Sequence, residues 1–164
     1  LFHIAALAAL TVFTAQPAEV NAQSGPAWAH KCEQAKESGK QLCRISQNLV
    51  IKKDGKQQRL LTIAIRPKAD SSGYAMLFAL PHGLHLPSGV EFAVDENKPK
   101  KLVIQTSDAR GAYTGTNLDA KLLNSMKRGN KLTVKLVTNA RKKIGLAVDL
   151  TGFSAAYTKL TSTN

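Results

Sequence analysis

The chain has 164 residues, 43% hydrophobic and 21% charged, with 23 Lys and Arg against 11 Asp and Glu and a formal charge of +12. This composition excludes a disordered chain and a collagen-like repeat, and it fits one domain with a modest core. The charge names no reaction, but it makes the folded surface attractive to anions such as phospholipid head groups, sulfated sugars, nucleic acid or acidic proteins.

Residues Leu1 to Phe13 read LFHIAALAALTVF, an apolar run without Lys, Arg, Asp or Glu and too short to span a bilayer as a mature helix. With the small residues Val20 and Ala22 at the positions a signal peptidase needs, it predicts a signal peptide over residues 1–22 and cleavage before Gln23. The alternative is an N-terminal amphipathic helix packed on the domain. No Cys follows the apolar run to take a lipid, and residues 23–164 are expected to form a single exported domain without a transmembrane segment. Only one charged residue, Glu19, leaves with the leader, so 23 basic and 10 acidic side chains remain. Trp28 is too costly to leave exposed in a small domain and is expected to anchor the polar lead-in around it.

Cys32 and Cys43 are the only cysteines. In an oxidising compartment such a pair is predicted to be a disulfide. The segment between them, EQAKESGKQL, is polar and contains Gly39, and bridging a loop of that size stabilises by about 3 kcal/mol on the chain-entropy model. Neither the C-x-x-C redox spacing nor a zinc-finger spacing is present.

Alternation then takes over. Cys43, Ile45, Gln47, Leu49 and Ile51 share one face of a strand, and Leu61, Ile63 and Ile65 repeat the pattern after the turn Asp54-Gly55. Tyr74 to Leu80 is apolar on both faces, as in the middle of a sheet. Val90, Phe92 and Val94 face inward in the next strand, and Lys101 to Thr106 supplies another. Leu118, Leu122, Leu123 and Met126 fall on one side of a helix that Asn117 could cap and that Lys127, Arg128 and Gly129 end. Two late strands follow, with Leu132, Val134 and Leu136 inward in the first and Ile144, Leu146, Val148 and Leu150 inward in the second. Phe153, Ala156, Tyr157 and Leu160 suit a short terminal helix. About seven strands joined mostly by hairpins, with two short helices, predict a mainly all-β antiparallel sandwich.

Enzyme motifs are missing: there is no G-x-S-x-G elbow, phosphate loop, dinucleotide fingerprint or H-E-x-x-H. The expectation is therefore a protein that is not an enzyme and has no cofactor or metal. The alternative is a periplasmic enzyme or metal-binding protein with a loop site around His82, His85 and Asp95, joined at need by Glu91, because imidazole and carboxylate are ordinary ligands. Competing with it is a plain Pro- and Gly-rich turn facing water.

Between Lys100 and Lys143 there are eleven Lys or Arg and two Asp. If the late strands pair as a hairpin, Lys127, Arg128, Lys131, Lys135 and the run Arg141-Lys142-Lys143 form one positive surface for an anionic cell-surface or envelope component. A solvated face that keeps an exported protein soluble would look the same. Nucleic acid is not expected, since the stretch lacks interleaved aromatics.

Several pieces together resemble the invasion-associated locus B family of small exported bacterial proteins. They are Trp28 shortly before Cys32, the segment Cys43-Arg44-Ile45-Ser46-Gln47, and the turn Pro81-His82-Gly83 followed by Leu86, Gly89, Val90 and Val94-Asp95. The ending Leu150-Thr151-Gly152-Phe153 with Ala156 completes the set. The resemblance implies an immunoglobulin-like β-sandwich, a periplasmic or secreted location with outer-membrane association as a variant, and a context of host-cell (erythrocyte) invasion and virulence for the founding members. It supplies no catalytic residues. The resemblance implies a second cysteine pair in many members where this chain has Ser107 and Ala112; Gly111 survives between them, which implies a turn kept by backbone geometry and a looser loop.

Overall fold

The structure, a computed structural model, describes residues 23–24, 28–35, 39 and 41–163. The leader expected over 1–22 lies outside the described residues. The chain forms β1 (Gln23–Ser24), β2 (Ala29–Gln34), β3 (Gln41–Lys53), β4 (Lys56–Pro67), β5 (Tyr74–Leu80), β6 (Val90–Val94), β7 (Lys100–Leu102), β8 (Thr106–Asp108) and β9 (Gly111–Asn117). It ends with α1 (Ala120–Arg128), β10 (Lys131–Val137), β11 (Lys143–Asp149) and α2 (Phe153–Ser162). One sheet has the order β1-β3-β4-β5-β9-β8 with β2 also on β3, the other β11-β10-β6-β7, and every pairing is antiparallel.

Period-2 alternation produces this directly. Ile45, Leu49, Leu61, Ile63, Ile65, Met76, Phe78 and Leu80 are buried from the larger sheet, and Val90, Phe92, Val94, Leu132, Val134, Leu136, Leu146 and Val148 from the smaller. The two inner faces meet in one apolar cluster, where the rings of Phe78 and Phe92 lie 5.2 Å apart. The antiparallel sandwich expected from the sequence is the observed architecture. Among the described residues no helix is long and apolar enough to cross a membrane.

Asp54 and Gly55, with φ of 50° and 74°, make the two-residue hairpin between β3 and β4, as the positive φ of a primed turn requires. A bulge in β4 leaves Leu60 unpaired between the Leu49–Leu61 and Val50–Arg59 pairs, and Ile51, expected on the core face, lies past this point and is half-buried.

Three expectations need correction. Lys101 to Thr106 is not one strand: β7 ends at Leu102, β8 starts at Thr106 in the other sheet, and the chain crosses between them. The crossing is held by the Thr114 hydroxyl donating to the Val103 carbonyl (2.6 Å) and by Gln105 N donating to Tyr113 O (2.9 Å). Next, β9 adds a strand between Thr106 and Leu118, where none was predicted. Finally, the cap of α1 is Asp119, whose carboxylate accepts from Leu122 N at 2.8 Å, while Asn117 closes the ladder of β9 opposite Ala75.

Cys32 and Cys43 are disulfide-bonded and stand opposite each other in the β2–β3 register. Reducing this bridge is expected to lower stability by about 3 kcal/mol, read from urea unfolding with and without dithiothreitol. Coincident curves would reject that value.

Candidate functional site

The outer face of the smaller sheet is where basic residues and a depression coincide. Because Leu132, Val134 and Leu136 point inward, Lys131, Thr133 and Lys135 of β10 point out. Register then places Gly145 of β11 and Glu91 of β6 on either side of Lys135, and Lys101 of β7 beyond Glu91. Gly145, Lys135, Glu91 and Lys101 therefore form one row across all four strands. Lys143 lies two residues along β11, opposite Val137.

The row lines an open trough of about 480 Å³ whose wall includes Ser88, Gly89, Glu91, Lys101, Lys135 and Lys143. Gly145 leaves part of the floor without a side chain, with open space where a Cβ would stand. Lys135 Nζ approaches Glu91 Oε1 at 3.2 Å, both groups well exposed, so the ion pair is weak and exchangeable. Three lysines and one carboxylate thus line the same trough, with Lys135 in contact with Glu91.

The residues expected to form one positive surface are divided by this geometry. Lys135 and Lys143 line the trough, with Arg141 and Lys142 in the adjoining β10–β11 turn. Lys131 lies at the other end of the hairpin, four residues from Lys135 or about 13 Å along β10 at strand rise, next to Lys127 and Arg128 at the end of α1. There Lys131 stands opposite Asp149, and a neighbouring depression of about 340 Å³ is lined by Glu91, Asp95 and Glu96 with Lys135. Lys127 and Arg128 occupy the last turn of α1, where cations complement the helix dipole. Lys127 Nζ lies 5.0 Å from the centroid of the Tyr157 ring. Lys101 was missed by sequence reasoning, since only the β6–β7 register brings it to the trough.

The alternative site does not assemble. His82 Nε2 donates to the carbonyl of Ala109 at 3.1 Å, and His85 Nδ1 is 2.7 Å from Ser88 Oγ. Asp95 lies past the far end of β6, where its carboxylate accepts from Asn130 N and Lys131 N. A five-residue strand separates it from the histidine turn.

Ser107 and Ala112, the positions at which the resemblance implies a second cysteine pair in other members, are directly opposite in the β8–β9 register. The turn is tied instead by Asp108, which accepts from Arg110 N (2.8 Å) and the Tyr113 hydroxyl (2.9 Å). The Arg110 N–H, together with Tyr113 and the Arg110 guanidinium, holds the Asp108 carboxyl below its ordinary range. Arg59 adds a bond to the Arg110 carbonyl at 2.8 Å.

A family model described as invasion associated locus B protein matches residues 28–161. Among solved structures, the crystal structure of invasion associated protein b from Bartonella henselae is similar in fold, with a TM-score of 0.66. It shares 21% identity, over 82% of this chain and 90% of that one. No curated protein sequence gives a significant match.

Proposed function

The chain belongs to the invasion associated locus B family, and on that premise we propose that it is an exported, non-enzymatic protein that binds an anionic component of the cell envelope or of a host-cell surface. Residues 1–22 are removed on export, and residues 23–164 act as one domain in the periplasm or beyond it. The observation that carries the reading is the trough of Lys101, Lys135 and Lys143 with Glu91. Three cations from three strands of a rigid sheet present a fixed pattern at little entropic cost. An incoming sulfate, phosphate or carboxylate replaces Glu91 as the partner of Lys135, so the carboxylate holds the lysine in place without neutralising the site.

Replacing Lys101, Lys135 and Lys143 together by Ser tests this. At about 1 kcal/mol per lysine near an anionic surface, affinity for vesicles containing phosphatidylserine is expected to fall about a hundredfold at low salt. Binding of the parent protein weakens as salt rises. The companion variant with Lys127, Arg128 and Lys131 replaced loses much less. Equal losses in the two variants, or none in the first, reject the trough as the binding face.

A further inference from the structure

We infer that Cys32 and Cys43, once reduced, form with His30 a site for a borderline-soft divalent cation of the zinc type, so that disulfide and metal are alternative states of one locus. The locus lies in the larger sheet and is independent of the lysine trough. Among the described residues, His30, Cys32 and Cys43 are the group whose donor atoms converge, all within 4.8 Å of one another.

Strand geometry explains the convergence. Cys32 stands opposite Cys43 in the β2–β3 ladder, and His30 precedes Cys32 by two residues, on the same side of β2. Cross-strand pairing does here what a short C-x-x-C loop does in a zinc finger, which is why local sequence spacing gave no sign of it. Tetrahedral zinc, with Zn–S of about 2.3 Å and Zn–N of about 2.0–2.1 Å, sets its N···S ligand spacing at about 3.6 Å and S···S at about 3.8 Å. His30 Nε2 already stands 3.7 Å from Cys32 Sγ. The two sulfurs must part, which breaking their bond permits, and the His30 ring needs to close on Cys43 by no more than about 1.2 Å, since all three donor atoms already lie within 4.8 Å of one another.

The remaining coordination position has an occupant within reach. Cys43 is buried and faces the core, whereas His30 and Cys32 are half-exposed, so the cation enters from their side. Thr163, after the end of α2, stands at that opening: its hydroxyl lies 3.1 Å from His30 Nε2 and its carbonyl oxygen 3.9 Å from Cys43 Sγ. The threonine or a water supplies the fourth ligand.

The chemistry balances. A dithiol reductant delivers two electrons and two protons; the Sγ–Sγ bond breaks, two thiols form, and the reductant closes its own disulfide. The divalent cation then displaces both thiol protons into solvent while neutral His30 donates its Nε2 lone pair. Two thiolates cancel the charge of the ion, so the loaded site is neutral and its burial beside Cys43 carries no uncompensated charge. A disulfide oxidant takes up the two electrons and is itself reduced to two thiols, which restores the Cys32–Cys43 bridge and releases the metal.

The test uses the purified protein, reduced with dithiothreitol, freed of reductant anaerobically and titrated with cobalt(II). One equivalent is expected to bind with a thiolate-to-cobalt charge-transfer band and the intense visible bands of a tetrahedral site, and zinc displaces it. The oxidised protein and the Cys32→Ser/Cys43→Ser variant give no such bands. His30→Ala weakens binding a hundredfold or more, since even outer-shell losses cost ten- to a hundredfold. Circular dichroism of the reduced protein matches that of the oxidised. A folded reduced protein that binds no cobalt, an unchanged affinity in His30→Ala, or loss of the native spectrum on reduction each overturns the inference.

Discussion

Gly111→Ala is expected to lower stability by about 4–5 kcal/mol, although it adds a single methyl group to a turn at the sheet edge. Gly111 is buried and has φ of 149°, a conformation that L side chains rarely adopt. A Cβ built there stands 2.1 Å from the carbonyl oxygen of Leu80 and 3.3 Å from Arg59 Nη2. The arginine can swing away, but the carbonyl cannot, because Leu80 is paired with Ala112 across the β5–β9 ladder in the interior of the larger sheet. Relief would require opening that ladder or breaking the Asp108 turn. Gly145→Ala is the control: its added methyl meets nothing within 4 Å, and stability should stay within about 0.5 kcal/mol of the parent. Urea unfolding of the two variants decides the matter, and similar midpoints would contradict this reading of Gly111.

What the sequence displayed and what it concealed divide along the same physical line. β10 and β11 could be read because each carries its inward and outward residues in strict alternation, Leu132-Val134-Leu136 against Lys131-Thr133-Lys135. β9 could not, because GAYTGTN buries Ala112 and Thr114 where Val or Leu would have announced a strand. Asn117 and Asp119 are equally able to cap a helix; the choice is made by β9, whose ladder uses Asn117 opposite Ala75 and delays the start of α1. The candidate site fails in the same way. Outward-facing lysines are visible one strand at a time, but which of them meet depends on register across four strands. That register adds Lys101 to Lys135 and sends Lys131 to the acidic end. His30 joins the cysteines through an inter-strand pairing as well.

Trp28→Ala is expected to cost about 4 kcal/mol, near the middle of the range for a buried aromatic cut back to Ala. Trp28 is 6% exposed, and its ring meets Phe153 edge-on at 5.0 Å between centroids. Phe153 lies 6.0 Å from Tyr157, which in turn meets Tyr74 of β5 at 5.4 Å. The four rings tie the start of β2, the buried face of the first two turns of α2 and the larger sheet into one contact chain. α2 has little of its own to hold it: its N-cap is Gly152, with no side-chain cap bond, and it carries β-branched Thr158 and Thr161. Its docking therefore rests on Phe153, Tyr157 and Leu160, and Phe153 loses its edge-to-face partner when Trp28 is removed. Trp28→Phe separates packing from hydrogen bonding. It keeps a ring against Phe153 but leaves the Asp149 carbonyl, which accepts from Trp28 Nε1 at 3.2 Å, without that donor; the expected cost is about 1–2 kcal/mol. Thermal unfolding by circular dichroism gives the ranking. Amide exchange gives the location, with the α2 amides of Trp28→Ala exchanging faster while those of β10 change least; uniform acceleration across both elements, or a parent-like melting curve, would show that α2 is held by something other than this chain of rings.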